Sequence, residues 1–147
     1  MPTLDWVKAV GVALLVMAVD LAIATVAIAS YVYLINPGHP QGYYDAITVA
    51  IATPSTAIAG PLLMFVACSW FGRRRPDRNA LAFAVAVFAA YFLIDWGMVL
   101  FRGMFEPVPL GIAALKLLGA LLGAWAARRW PRDSGSATAA AATPSAS

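Results

Sequence analysis

Apolar residues fall into four long blocks separated by short polar segments, covering residues 9–35, 46–71, 80–101 and 108–127. Each block meets the requirement of about 20 mainly apolar residues for an α-helix that crosses a bilayer. The first block is interrupted only by Asp20, the third carries Asp95 and the fourth carries Lys116. Between the first two blocks, Asn36-Pro37-Gly38-His39-Pro40-Gln41-Gly42 is dense in helix breakers and reads as a loop. Residues 72–79 form a short basic turn, in which Asn79 or Asp77 is placed to cap the third helix. Pro107 and Pro109 suit the start of the fourth helix, where a missing amide hydrogen costs little. The expected fold is an all-α integral membrane protein. A bundle of four transmembrane helices occupies residues 1–130, and a disordered cytoplasmic tail rich in Ser, Ala and Thr occupies residues 131–147.

Composition supports this pattern. The chain is 62% hydrophobic and 12% charged, with a mean hydropathy of +0.78. Soluble domains are roughly half apolar and a quarter charged, and one this small has no interior large enough to hide so much apolar surface. The lipid bilayer is therefore the expected surrounding. High Ala, Arg and Gly content suggests a GC-rich bacterial source, which makes the cell (inner) membrane the expected location.

The charges predict an orientation. Lys8, Arg73, Arg74, Arg75, Arg78, Arg128, Arg129 and Arg132 all lie on one side if the chain crosses four times. Residues 36–45 contain no Lys or Arg, and the third connection has only Arg102, with Glu106 nearby. Because basic flanks stay cytoplasmic, both termini are expected inside. Three or five spans would put the two basic clusters on opposite sides. Tyr31, Tyr33, Tyr43 and Tyr44 bracket the outer loop, and Trp6, Trp70, Trp125 and Trp130 lie near the inner boundary, as interfacial aromatics do. One rival reading is a signal peptide cleaved after Ala27-Ile28-Ala29, which would leave three spans.

Packing signals are of two kinds. Gly119 and Gly123 form a small-xxx-small pair on the fourth helix, suited to close backbone approach to another helix or to a second copy. The second helix carries Thr48, Ala52, Thr56 and Gly60 at steps of four, together with Pro54 and Pro61. Each proline removes a helical hydrogen bond, so this helix is expected to be kinked for packing or broken around a cavity. Thr53, Ser55 and Thr56 are available to satisfy the freed carbonyls.

Charged groups inside a bilayer are costly and mark packing or function. Asp95 lies six residues before Phe101, and Lys116 eight residues after Val108. These offsets put both at about 9–12 Å below the same boundary, so an Asp95–Lys116 ion pair is expected. Arg102 and Glu106 continue the face of Asp95 outward if the helix extends that far. Asp20 lies halfway along the first span among apolar neighbours, as a protonatable carboxylate or as a buried partner of a hydroxyl or of Lys116.

Other chemistry is sparse. With one cysteine, Cys68, and one histidine, His39, there is no metal-ligand spacing and no intramolecular disulfide. No phosphate-cradling loop, nucleophile elbow or HExxH pattern occurs, so no cofactor, catalytic residue or nucleic-acid partner is expected. Cys68 reads as a packing residue and His39 as an exposed loop residue.

Four short spans, a carboxylate in the first helix and a glycine stripe in the fourth give a plan that resembles small multidrug transporters. This chain is longer, and carries Asp95 and Lys116 in addition. Intramembrane charge and a proline-broken second helix point to a small transporter or proton-coupled permeation unit, homo-oligomeric, with Asp20 as the binding carboxylate and Asp95 with Lys116 as a gating or structural pair. The resemblance ranks this reading first. Small size and the absence of a catalytic constellation point alternatively to a non-catalytic subunit of a larger membrane complex. A lipid-modifying enzyme built on Arg102 and Glu106 is a third reading.

Overall fold

The computed structural model describes residues 3–74, 79–101 and 108–129. Among the described residues every regular element is helical: α1 (Thr3–Ser30) runs into a π-helical turn (Tyr31–Ile35), followed by α2 (Gln41–Arg73), α3 (Ala80–Phe101) and α4 (Val108–Arg129). All four helices contain a stretch long and apolar enough to cross a membrane. Arg75, Asp77, Arg78, Arg102, Glu106, Pro107, Trp130, Arg132 and the tail at residues 131–147 lie outside the described residues.

The third and fourth helices begin where the sequence places them, whereas α1 and α2 each start earlier than the apolar blocks. For α2, Pro40 has an extended backbone (φ −66°, ψ 154°), and the amide of Tyr43 donates to its carbonyl at 3.0 Å. The added turn projects Tyr43 and Tyr44 at the loop. Tyr44 Oη donates to the Asn36 carbonyl at 2.9 Å and accepts from the His39 amide at 3.0 Å. Asn36 Nδ2 donates to Tyr43 Oη at 3.0 Å, and its own amide closes the π turn onto the Tyr31 carbonyl at 2.9 Å. His39 is exposed, as expected of a loop residue, and its ring lies 4.3 Å from that of Tyr43. Asn79 caps α3, its Oδ1 accepting the Ala82 amide at 3.3 Å. A cap of this kind contributes about 1 kcal/mol.

The helix α2 continues unbroken through Pro54 and Pro61, so the broken-helix expectation does not hold. Ser55 Oγ donates to the Ile51 carbonyl at 2.7 Å and Thr48 Oγ1 to the Tyr44 carbonyl at 2.8 Å. Those carbonyls lie four residues back from each hydroxyl, and neither is the one that a proline frees.

Helices α2 and α4 form the most extensive pair in the bundle, and α1 packs on α2 and α3. Since α3 also packs on α4, while α2 and α3 touch little, α1 and α4 stand at opposite corners. The α2–α4 contact is made by glycines. A Cβ on Gly119 would strike the Pro61 carbonyl, and one on Gly123 would strike the Phe65 carbonyl. The two contacts share one register, 119 on 61 and 123 on 65, so α2 and α4 run parallel. The glycine face is thus used inside the chain. At one end of the bundle Gly72 approaches Ala80 and Ala127, and a groove there joins Lys8 to Phe71, Arg74 and Phe83. The start of α1, the end of α2, the start of α3 and the end of α4 therefore meet, and their basic residues share that end.

Burial divides the bundle in two. The core consists of Ala9–Val16 positions on α1, Met64 and Cys68 on α2, Phe83, Ala84, Val87 and Tyr91 on α3, and Ala120 and Ala124 on α4. All of these lie between the basic end and the bundle's middle. Cys68 is a packing residue there, as expected. Beyond the middle, only Ala24 is fully buried among the described side chains. Thr48, Thr53, Ser55, Thr56 and Asp95 are half-buried in this looser half.

Candidate functional site: a buried Asp–Tyr–Lys trio

Where the packed half ends, three polar side chains from three helices meet. Lys116 Nζ of α4 lies 3.0 Å from Asp20 Oδ2 of α1, and the two residues are 2% and 4% exposed. Tyr91 of α3 donates its hydroxyl to the same oxygen at 3.2 Å. Lys116 Nζ also donates to Tyr91 Oη and sits 4.4 Å from the centre of its ring. One carboxylate oxygen thus receives two donors. The other, Asp20 Oδ1, is buried with no hydrogen-bond partner among the described residues.

The remaining helix, α2, supplies space. Lys116 and Asp20 belong to opposite corners, so the lysine stem must cross the interior of the bundle. It does so over Gly60 of α2: a Cβ there would collide with Lys116 Cε and lie 3.2 Å from its Cδ and Cγ. Gly60 is therefore the passage for the lysine, and its place in the small-residue stripe of α2 has this as its reason. A Gly60→Ala substitution is expected to lower the thermal midpoint less than Gly119→Ala. At residue 60 the obstacle is a flexible side chain, whereas at 119 it is a backbone carbonyl. Thermal unfolding of both variants in mild detergent, followed by tryptophan fluorescence, checks the order.

The sequence-level pairing of Lys116 with Asp95 gives way to the pairing with Asp20. Asp95 is one turn beyond Tyr91 on α3, half-buried, and makes no ion pair among the described residues. Depth alone favoured it, since Asp95 and Lys116 are on consecutive antiparallel helices. The lysine instead turns toward the packed interior, where the carboxylate is more deeply buried. The alternative of Asp20 partnering a hydroxyl or Lys116 is realised in both respects. Tyr91 was not singled out from sequence. Its signal is a phenolic hydroxyl inside an otherwise apolar helix, four residues before Asp95 and so on the same face. Arg102 and Glu106 are outside the described residues. Gly119, Gly123, Gly60 and Pro61 all sit at the α2–α4 contact, while Pro54 is exposed.

No protein family, curated protein or solved structure matches this chain. The chemistry of the trio is then the principal guide to function. An ammonium, a phenol and a carboxylate in mutual contact form a hydrogen-bonded unit that carries no net charge as an ion pair. A proton or a small cation arriving at Oδ1 would compete directly with Lys116 for the carboxylate. Buried polar groups are normally satisfied, so a carboxylate oxygen with no partner among the described residues, at the edge of a packed core, is the feature that calls for a role. Among the described residues there is no group of His, Cys, Asp and Glu that could hold a metal ion.

Proposed function

We propose that this chain is a four-span protein of a bacterial cell membrane, with both termini in the cytoplasm, and that it acts as a proton-coupled permeation unit whose exchange site is Asp20–Tyr91–Lys116. Membrane insertion is supported by four sufficiently long apolar helices and by the large apolar side chains that cover the bundle's outside. The orientation is supported by the gathering of Lys8, Arg73, Arg74, Arg128 and Arg129 at one end, which the positive-inside rule assigns to the cytoplasm. Arg74 and Arg129 lie 4.9 Å and 4.2 Å over the rings of Trp70 and Trp125, an arrangement suited to the membrane surface. Retention of the first span belongs to this reading, because that span brings the counter-ion of Lys116.

The single observation that carries the exchange role is the buried Asp20 Oδ1, which has no hydrogen-bond partner among the described residues. From Asp20, about 22 Å of helix leads to Asp5 and a similar length to Ile35, which puts the trio at mid-span. Charges at that depth are retained mainly where they serve transport or pairing. The packed half closes the cytoplasmic side, while the half-buried Asp95 and hydroxyl side chains lie on the outer side. A proton entering from outside meets Asp95 first and then Oδ1. Protonation of Asp20 removes the partner of Lys116 and leaves a net positive site in a low-dielectric interior. That state favours movement of the lysine and release of the charge.

Reconstitution into liposomes with an internal pH-sensitive dye tests this reading. Under an imposed potential, wild-type vesicles are expected to acidify faster than protein-free vesicles. The double variant Asp20→Asn/Lys116→Met, which keeps the interior neutral, is expected to lose that flux while remaining folded. Flux equal to that of empty vesicles, or flux unchanged in the double variant, sinks the proposal.

A second reading has support from the closure of the trio. At 4% and 2% exposure Asp20 and Lys116 resemble a structural lock, which suits a non-catalytic subunit of a larger membrane complex. On that reading the same double variant keeps the fold but weakens partner retention on gentle purification, and no flux is seen for either form.

A further inference from the structure

The basic end of the bundle has a feature that the exchange site does not use. Between α1, α2 and α3 there is a groove of 310 Å³ lined by Lys8, Gly11, Leu15, Phe71, Arg74 and Phe83, with Val12 beside them. Its walls are apolar, and the two cations stand among them. A second cavity of 180 Å³ is lined by Ser69, Trp70, Arg73 and Arg74, so the two spaces share Arg74. The Arg74 guanidinium rests 4.9 Å over the Trp70 ring, which restricts it to the boundary between the two spaces. Neither Lys8 nor Arg74 makes an ion pair among the described residues. No carboxylate is among the described lining residues of either space. Asp5, the nearest acid on α1, is buried and has an interaction of its own.

Gly11 shapes the groove. A Cβ built on it would meet none of the described residues within 4 Å, and the position is exposed, so no packing contact among the described residues accounts for its small size. The space it leaves is one turn along α1 from Lys8 and one turn before Leu15, in line with the bundle axis.

We propose that this groove holds one anionic phospholipid, with its phosphate between Lys8 and Arg74 and an acyl chain running along Gly11, Leu15 and Phe71. The proposal rests on membrane insertion but is independent of the exchange role of Asp20. A free phosphate ion would satisfy the cations and leave the apolar walls unfilled. A zwitterionic lipid would bring its own ammonium to a site with two cations. Only an amphiphile with net negative charge satisfies both the charge and the surface of the groove.

Native mass spectrometry of the full chain in mild detergent tests the proposal, titrated with phosphatidylglycerol or phosphatidylcholine of the same acyl chains. Wild type is expected to retain one phosphatidylglycerol per chain in preference to phosphatidylcholine. Lys8→Gln/Arg74→Gln is expected to weaken phosphatidylglycerol binding by about thirtyfold, from two surface cations of ordinary strength. Gly11→Leu fills the groove without altering charge, and its Cβ meets none of the described residues within 4 Å, so the fold is expected to be kept. It is expected to abolish the bound lipid as well. Equal retention of the two lipids overturns the proposal. So does phosphatidylglycerol binding that survives either variant, or displacement of the lipid by millimolar inorganic phosphate. Failure of the chain to fractionate with membranes would overturn the insertion reading instead, and is measured separately on unpurified cells.

Discussion

Replacing Asp20 with Asn or Lys116 with Met, one at a time, is expected to destabilise the bundle by about 3–5 kcal/mol, while the double replacement restores most of the loss. Each single change strands one charge. Asp20→Asn leaves an ammonium that is 2% exposed facing a neutral amide, with the Tyr91 hydroxyl and ring beside it and Asp95 one turn further along α3. Lys116→Met leaves a carboxylate that already has one vacant oxygen and now loses its nearest cation. The double variant has neither charge, and methionine fills much of the path the lysine stem took over Gly60. For a chain of this size the single losses correspond to a fall of about 10 °C in thermal midpoint. A double-mutant cycle on thermal unfolding in mild detergent measures the coupling. Coupling near zero would show that Asp20 and Lys116 do not act as a pair, and would remove the basis for both proposed roles of the trio.

The second large effect is expected at Gly119. A leucine there has nowhere to go, because the obstacle is the Pro61 carbonyl, part of a continuous helix. Overpacking a rigid contact costs about 3 kcal/mol, and here it also separates the pair of helices that holds Lys116 over Gly60. Gly119→Leu is therefore expected to lower the thermal midpoint sharply and to weaken the Asp20–Lys116 coupling measured in its background. Gly111→Leu on the same helix is the control. An added Cβ there meets none of the described residues within 4 Å, and the variant's stability should stay close to wild type. Equal sensitivity at the two positions would mean that helix propensity, rather than close approach, governs α4.

The four helices are legible in the sequence because their apolar runs are long and the breakers between them are dense. Gly119 and Gly123 are legible as a packing face for a related reason: glycine is a poor helix former, so its repetition needs a contact to explain it. The identity of that contact is not written locally. Nothing near Gly119 says that its neighbour is Pro61 rather than another copy of the chain, since that depends on how α2 and α4 are brought parallel across two connections. The trio shows the same limit. Asp20 and Lys116 stand out as charges in apolar blocks, but sequence depth offers Asp95 as an equally good partner. The choice is made by the crowding of the packed half and by the opening at Gly60. Tyr91 is concealed by being aromatic, a residue type that an apolar span can carry without comment.

The bonds that join the trio span 96 positions from Asp20 to Lys116 and 25 from Tyr91 to Lys116. Synthesis proceeds from the N-terminus, so on the membrane reading α1 enters the bilayer well before its counter-charge exists. Until α4 follows, Asp20 lacks the ammonium it faces in the finished bundle, and Lys116 in turn has no stable place in lipid apart from the other three helices. Nascent chains that stop short of α4 are thereby marked as unfinished by an uncompensated acid, and it is the arrival of α4 that compensates it.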